Sequence, residues 1–583
     1  MKNINRKYLV ILSALVVFSS CSTEDDLRDD IINNSPNPFA PPVDPTGSPG
    51  SAVLTKYVSV GSSITAGLMD GALYTQGQSN SYPNLLAQQF AYAEGGSFVQ
   101  PDINATRGFN FLFNSLTNPF DATTAAFGRF ILNASIPGPE PLVPGEALNL
   151  YTGPAVNNFG VPGARLVDVG VAGYGQFNPF YTRFAADPTS SAILNEALAA
   201  APTFFTLWLG GNDILGYASS GGTTSAGTNP PPVPPDELVV GIGLTVPNTT
   251  NVEVAPGVFA DVPLNQIPGI TDYYQTKATA NKSSLTPTEL MDPSGITSPV
   301  VFEGAFTQVL GAMVQSGAKG VVMTIPDVTT VPIFNLIPVS LLKVPIDLGA
   351  VLPDPVAAAL GLPSGATFST ALNIVYAQFG FANDPATGGL PTLQIFEASA
   401  DNALVIETFD ANGNRIFRQI KDTDKVLISI PQDKLAEGWG SLIGIVLDAS
   451  GNIDLAATDL TALRPFPIPS QYIIDEDEVL ALRTANAQYN AAIAAIAATM
   501  QVPVVDAYTI LITAAVTGGI DVGNQFLIYD FGPNGFFSVD GVHPNSRGQG
   551  IITNAIIDAM ATAYGSDIPK IDILSLPGVT LKP

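Results

Sequence analysis

The sequence predicts an α/β protein in which a mostly parallel sheet is covered by helices on both faces and interrupted by two large insertions. Two observations carry this. Apolar runs bounded by glycine, residues 203–209 and 320–325, suit strands buried on both faces. Segments with apolar residues at helical spacing lie between such runs, and repeated strand–helix alternation is what a parallel sheet with crossover helices requires.

The elements follow in order. Residues 55–60 are β-prone and end at Gly61. Ser63 therefore falls on a turn at the C-terminal end of a strand, where open α/β sheets carry their sites. Residues 82–90 read as a helix entered through Pro83. Phe302, Phe306, Val309, Leu310 and Met313 recur at helical spacing, and Gly317 stops that helix before the strand at 320–325. Asp475 and Glu478 have capping-box spacing and open a helix through Val479, Leu482, Tyr489, Ile493 and Ile496. Residues 502–505 form the next strand, ending at Asp506. A last helix follows Pro544 and covers about 547–564.

Two stretches interrupt the alternation. Residues 217–299 hold a Gly/Ser/Pro tract and weak β-like pieces. Residues 332–465 contain apolar stretches at 333–351, 356–362 and 371–381, then a hairpin turn around 410–414. The Asp/Asn/Gly cluster of that turn lacks the ligand spacing of a calcium loop, and hairpin turns favour the same residues. The chain thus divides into a signal segment (1–20), an acidic and Pro-rich tether (21–52), core pieces at 53–216, 300–331 and 466–565, the two insertions, and a C-terminal tail (566–583).

Composition bounds the function. The chain is 46% hydrophobic and 13% charged, as folded proteins are. With 23 Lys+Arg against 50 Asp+Glu, its net charge of −27 argues against a nucleic-acid partner. Lys2, Arg6 and Lys7 precede a short apolar stretch and then Ser19-Ser20-Cys21, the pattern of an export signal too short to span a bilayer. Cys21 is the sole cysteine, so intrachain disulfides and Cys-based zinc sites are excluded. Its position resembles a bacterial lipobox, which implies lipid attachment at Cys21; the alternative is an ordinary signal peptide with an incidental cysteine. The acidic run 24–26 resembles a surface-export signal of Bacteroidetes lipoproteins and equally suits a solvated linker. The lipobox reading expects an outer-membrane lipoprotein, with anchoring from lipid rather than charge.

His543 is the only histidine. A His-cluster metal site is therefore excluded, and one imidazole base remains. Serine needs such a base to become a nucleophile. The base needs a carboxylate to hold its tautomer, and the oxyanion needs fixed donors. Ser63, His543, Asp540 and Asn212 offer these groups. Each motif alone has an ordinary structural reading: Gly-Ser-Ser as a turn, Gly-Gly-Asn-Asp as a helix entry with Asn212 or Asp213 as cap, Asp-Gly-x-His-Pro as a loop. In combination they sit where strands end or helices begin.

In this combination the chain resembles the SGNH (GDSL-type) hydrolase family. Gly61-Ser62-Ser63-Ile64 is similar to its first block, Asn158 to Gly163 to its second, Gly210-Gly211-Asn212-Asp213 to its third and Asp540-Gly541-Val542-His543 to its last, in family order. The resemblance is to the Bacteroidetes lipoprotein branch and runs from about Lys56 to Tyr564. It implies a flavodoxin-like three-layer α/β/α fold and a catalytic triad of Ser63, His543 and Asp540. It also implies an oxyanion hole from the Ser63 and Gly163 N–H groups and the Asn212 amide. No metal or organic cofactor is implied. Ser62 replaces the aspartate of the family's name motif, so the hydrogen bonding of that turn must differ.

The expected activity is ester hydrolysis through an acyl-enzyme on Ser63, by an esterase or lipase. A cell-surface carbohydrate (acetyl) esterase and a non-catalytic surface binding lipoprotein are the competing readings. The apolar stretches from 333 to 381 would serve a lid or acyl pocket, or be the ordinary core of an extra subdomain.

Overall fold

The computed structural model describes residues 46–222, 249–263, 295–443, 457 and 464–581, except 112–113, 115–118, 124, 133–138, 256–257, 345–346, 360, 379–394, 400, 410–414, 431–434, 436–437, 466 and 524. Cys21, the signal segment and most of the tether lie outside these residues. The chain divides into Met1–Thr46 and Gly47–Pro583, and the second unit holds the fold.

Five strands form the central sheet: β1 (Tyr57–Gly61), β2 (Asn158–Gly160), β3 (Phe204–Trp208), β4 (Lys319–Met323) and β5 (Val504–Val505). Their order is β2-β1-β3-β4-β5 and every pairing is parallel. This is a doubly wound order whose growth reverses between β1 and β3, and such a switch point opens a crevice at the strands' C-terminal ends. Gly61 pairs with Gly160 on one side and Trp208 on the other, so the ends of β1, β2 and β3 lie level at that crevice.

The helices around the sheet are α1 (Ser63–Ala66), α2 (Tyr82–Phe90), α3 (Ile193–Ala199), α4 (Asn212–Ser219), α5 (Pro299–Gln315), α6 (Glu476–Thr499), α7 (Ala507–Thr517) and α8 (Ser546–Tyr564). Alternate strand residues point to opposite faces, and here they enter two separate cores. Tyr57, Phe204, Trp208, Met323 and Val505 bury with Tyr82, Leu86 and Phe90 of α2 and Ile556, Ile557 and Met560 of α8. Val58, Val60, Phe205, Leu207 and Val322 bury with Ile193 of α3, Phe302 and Phe306 of α5, and Leu482, Tyr489 and Ile493 of α6. Each such large side chain contributes roughly 1.5–3 kcal/mol of apolar burial. Phe302 also stacks on Tyr489, with ring centroids 4.0 Å apart. A parallel sheet covered on both faces is compatible with a three-layer α/β/α arrangement.

Local signals account for the helix ends. Asp475 accepts from the Asp477 and Glu478 N–H groups, and Glu478 accepts from the Asp475 N–H, which completes the expected capping box of α6. Gly317 adopts φ +87° after α5. Helix α7 was not expected. Asp506 caps it by accepting from Thr509 N, and Gly518 ends it in the left-handed region. Strand β2, three residues long, is too short to show a periodicity.

The second insertion has a core of its own. Leu342, Val344, Leu348, Leu372 and Tyr376 bury with Phe396, Val405, Ile406, Trp439 and Ile468. Parts of the apolar stretches thus lie in this core, while Val356 and Ala357 bury in a small separate cluster and Phe334 joins the main core. Val405–Phe409 pairs with Arg415–Gln419 across the expected hairpin, whose turn residues lie outside those described. The subdomain reaches past the expected boundary at 465: Ile473 belongs to its core, while Ile474, facing the opposite way, belongs to the main core. In the first insertion, Thr249–Ala255 pairs with Val258–Pro263.

Both ends of the body also differ from expectation. The tether was expected to run to 52. Instead Gly47 N donates to Tyr92 O, Ser48 exchanges two backbone bonds with Asp567, and Ser51 N donates to Tyr564 O. The body thus begins near Gly47, because these N–H groups find partners at Tyr92 and in the C-terminal segment. The tail is likewise docked, with Ile568 buried and Leu132 N donating to Thr580 O. Among the described residues no helix is long and apolar enough to cross a membrane.

Candidate active site

Ser63 opens α1 directly after β1. Glycine makes this turn sterically feasible: a Cβ on Gly61 would lie 2.0 Å from Thr65 Oγ1, and one on Gly160 would lie 2.3 Å from Ala66 N. Ser62 is the N-cap residue of α1, and its side chain makes no cap bond. Gln549 of α8 braces the turn from outside. Its Oε1 accepts from Tyr82 N at 2.9 Å and its Nε2 donates to Ile64 O at 3.2 Å.

Three side chains form a continuous chain. Ser63 Oγ lies 2.9 Å from His543 Nε2, and His543 Nδ1 lies 2.9 Å from Asp540 Oδ2. All three are buried, at 8%, 5% and 6% exposure. Asp540 is buried, which raises its pKa. The charge and hydrogen bonds of His543 and the Val542 N–H outweigh that and bring it down to about 2. An ionised carboxylate only accepts. Nδ1 of a neutral imidazole must then carry the proton, leaving Nε2 to accept from the Ser63 hydroxyl.

Asp540 is held by the backbone. Oδ1 accepts from Val542 N and His543 N, both at 2.9 Å, and Oδ2 accepts from Gly71 N at 2.8 Å. The loop closes on itself through Ser538 N donating to His543 O at 2.7 Å. Gly541 at φ +70° brings its carbonyl to Ile333 N at 3.0 Å, so the start of the second insertion is pinned to this loop.

The donors implied for an oxyanion sit around the same crevice. Asn212 begins α4 after β3. Neither it nor Asp213 caps the helix; Gly211 occupies that position without a side-chain bond. Instead Asn212 Nδ2 donates to Ala164 O at 2.8 Å, and the buried Asp213 carboxylate accepts from Leu166 N at 2.8 Å. Both residues tie α4 to the loop after β2. The Asn212 amide is thus oriented, and its second N–H has no partner among the described residues. Ser63 N, in the first turn of a helix, has no intrahelical partner. Gly163 N donates to no group among the described residues, and Gly163 is exposed at φ +80° in the loop that Asn212 grips. Ser63, Asn212 and His543 line one cavity; Gly163 lies in the adjoining loop and does not line it.

Sequence reading missed the second carboxylate of the site. Asp70 is fully buried, with Oδ1 accepting from Val539 N at 2.9 Å and Oδ2 from the Tyr74 hydroxyl at 2.7 Å. Its own N–H donates to Ser538 Oγ at 3.0 Å, and Arg129 lies 3.7 Å away. Burial pushes its pKa up to about 6, opposed by the Val539 and Tyr74 bonds and by Arg129. Asp70-Gly71 reads only as a turn in the sequence. Nothing local marks partners 469 residues away.

The cavity has an almost wholly apolar lining and a volume of about 140 Å³. No protein-family model, curated protein or solved structure matches the chain.

Proposed function

We propose that the protein is a serine ester hydrolase of the SGNH (GDSL-type) kind, carried by lipid on Cys21 at the outer membrane. The single observation that supports it most is the unbroken Ser63–His543–Asp540 chain at the C-terminal edge of a parallel sheet.

Ser63 Oγ attacks the ester carbonyl carbon while His543 Nε2 takes the hydroxyl proton. Asp540 holds the Nδ1 tautomer and steadies the imidazolium. The Ser63 and Gly163 N–H groups and the Asn212 amide donate to the oxyanion. The tetrahedral adduct collapses, the C–O bond to the alcohol breaks, and the imidazolium returns its proton to the leaving oxygen. Water then attacks the acyl-Ser63 ester, giving its proton to His543. Collapse frees the acid and restores the serine hydroxyl.

The test is hydrolysis of p-nitrophenyl esters by the body from about Gly47. Ser63→Ala and His543→Ala should each lower kcat by about 10⁴-fold or more. Asn212→Ala should lower it by about 10²–10³. Retained turnover in folded Ser63→Ala would refute the assignment.

A further inference from the structure

We infer that the protein selects esters whose acyl half is a medium-length alkyl chain, which it seats between α7 and α8; this rests on the ester-hydrolase reading. The observation is what lines the cavity. Its wall includes Ser63, Asn212 and His543. It also includes Met323 at the end of β4, Ile325 just after it, Val505 of β5, and one stripe from each of two helices. On α7 the stripe is Ala507, Ile510 and Leu511; on α8 it is Gly548, Ile551, Ile552 and Ala555. These spacings of three and four place each set on a single helix face.

An apolar helix stripe normally meets a packed partner. Here Ile510, Leu511, Ile551, Ile552 and Ala555 pack at the edges of the two main cores, yet stay only half-buried and line the cavity. The second insertion does not fill the space: no described residue of 332–465 lines the cavity. A chain continuous with the reacting carbonyl would fill the space.

The acyl half suits this space better than the alcohol half. The alcohol must depart and water must take its place beside His543, so that side of the reaction needs a route to solvent. The acyl group stays bonded to Ser63 through both steps. An apolar slot that excludes water can hold it throughout.

Size sets the length. An apolar cavity near 150 Å³ accommodates benzene, so a 140 Å³ slot takes about six carbons. The α8 stripe from Gly548 to Ala555 is about 10 Å long at the helix rise per residue, consistent with a short extended chain. Hexanoyl and octanoyl esters should therefore be preferred. Each methylene buried should raise kcat/KM about fourfold, or about 250-fold over the four methylenes from acetyl to hexanoyl.

The experiment uses two ester series on the body from Gly47. One varies the acyl group from acetyl to palmitoyl on p-nitrophenol; the other varies the alcohol from methyl to octyl on acetate. The inference expects a hexanoyl–octanoyl optimum in the first series and a flat second series. Ala555→Trp should lower the octanoyl-to-acetyl ratio of kcat/KM at least tenfold, and Ile552→Ala should move the optimum to longer chains. Should one variant fail to fold, Ile510→Trp, on the opposite wall, should lower the same ratio. An acetyl optimum, a slope in the alcohol series instead, or an unchanged ratio in the folded variants overturns it. Those results would still leave Ser63-dependent turnover, and so the ester-hydrolase reading, standing. Absence of turnover on every ester, with no labelling of Ser63 by a fluorophosphonate, would sink both.

Discussion

Asp540 and Asp70 are equally buried, one within the 538–543 loop and the other bonded to it from a distant segment, yet their environments push them in opposite directions, to about 2 and about 6. Burial raises both. Asp540 overcomes it with three backbone N–H groups and the His543 imidazole. Asp70 has one backbone N–H, a tyrosine hydroxyl and an arginine at 3.7 Å, which are not enough. The comparison shows that the ionised carboxylate is the one facing the imidazole; on the ester-hydrolase proposal it steadies the imidazolium while its neighbour serves as a brace. A pair whose environments drive its pKa values apart marks a division of labour.

The largest test of that division is Asp540→Asn. The amide keeps the shape but presents an N–H toward Nδ1, favouring the wrong tautomer, and should lower kcat by about 10⁴-fold. Asp70→Asn should cost far less. It keeps an acceptor for Val539 N and loses the one for Tyr74, so the loop shifts without losing its chemistry. A fall of ten- to a hundredfold in kcat with little change in KM is expected from steady-state kinetics. If Asp70→Asn were as damaging as Asp540→Asn, the brace reading would fail.

A third test is thermal unfolding against pH. The folded pKa of Asp70 lies above its ordinary value, so its contribution is full below about pH 4 and is lost as pH rises toward 6. Asp540 has the opposite sign: its contribution is present above about pH 4 and is lost as pH falls toward 2. Asp70→Asn should therefore flatten the decline between pH 4 and 6, an effect on the order of 3 kcal/mol. The smallest effect is expected of Arg129→Ala. Removing the cation beside Asp70 should move that decline to slightly higher pH.

The same contrast explains what was legible in the sequence. Asp540 stands three residues before the lone histidine, and a single loop carries both, so the pair could be read locally. Ser63 and Asn212 were legible because each follows a strand with a glycine boundary. Asp70 was not, because its role depends on Ser538 and Val539 at the other end of the chain. Apolar segments posed a related difficulty. The stretches from 333 to 381 and the stripes of α7 and α8 are both rich in aliphatic side chains, but only packing decides which closes on itself and which borders an opening. Helix α7 went unread because its apolar residues surround it almost evenly, and β2 because three residues carry no period.

The most direct measurement is to quench a reaction with p-nitrophenyl hexanoate in its first turnovers and map the acylated residue by mass spectrometry. The account predicts a hexanoyl adduct on Ser63 alone, absent in Ser63→Ala and strongly reduced in His543→Ala. Turnover with no adduct, or with an adduct on another residue that survives Ser63→Ala, would contradict it.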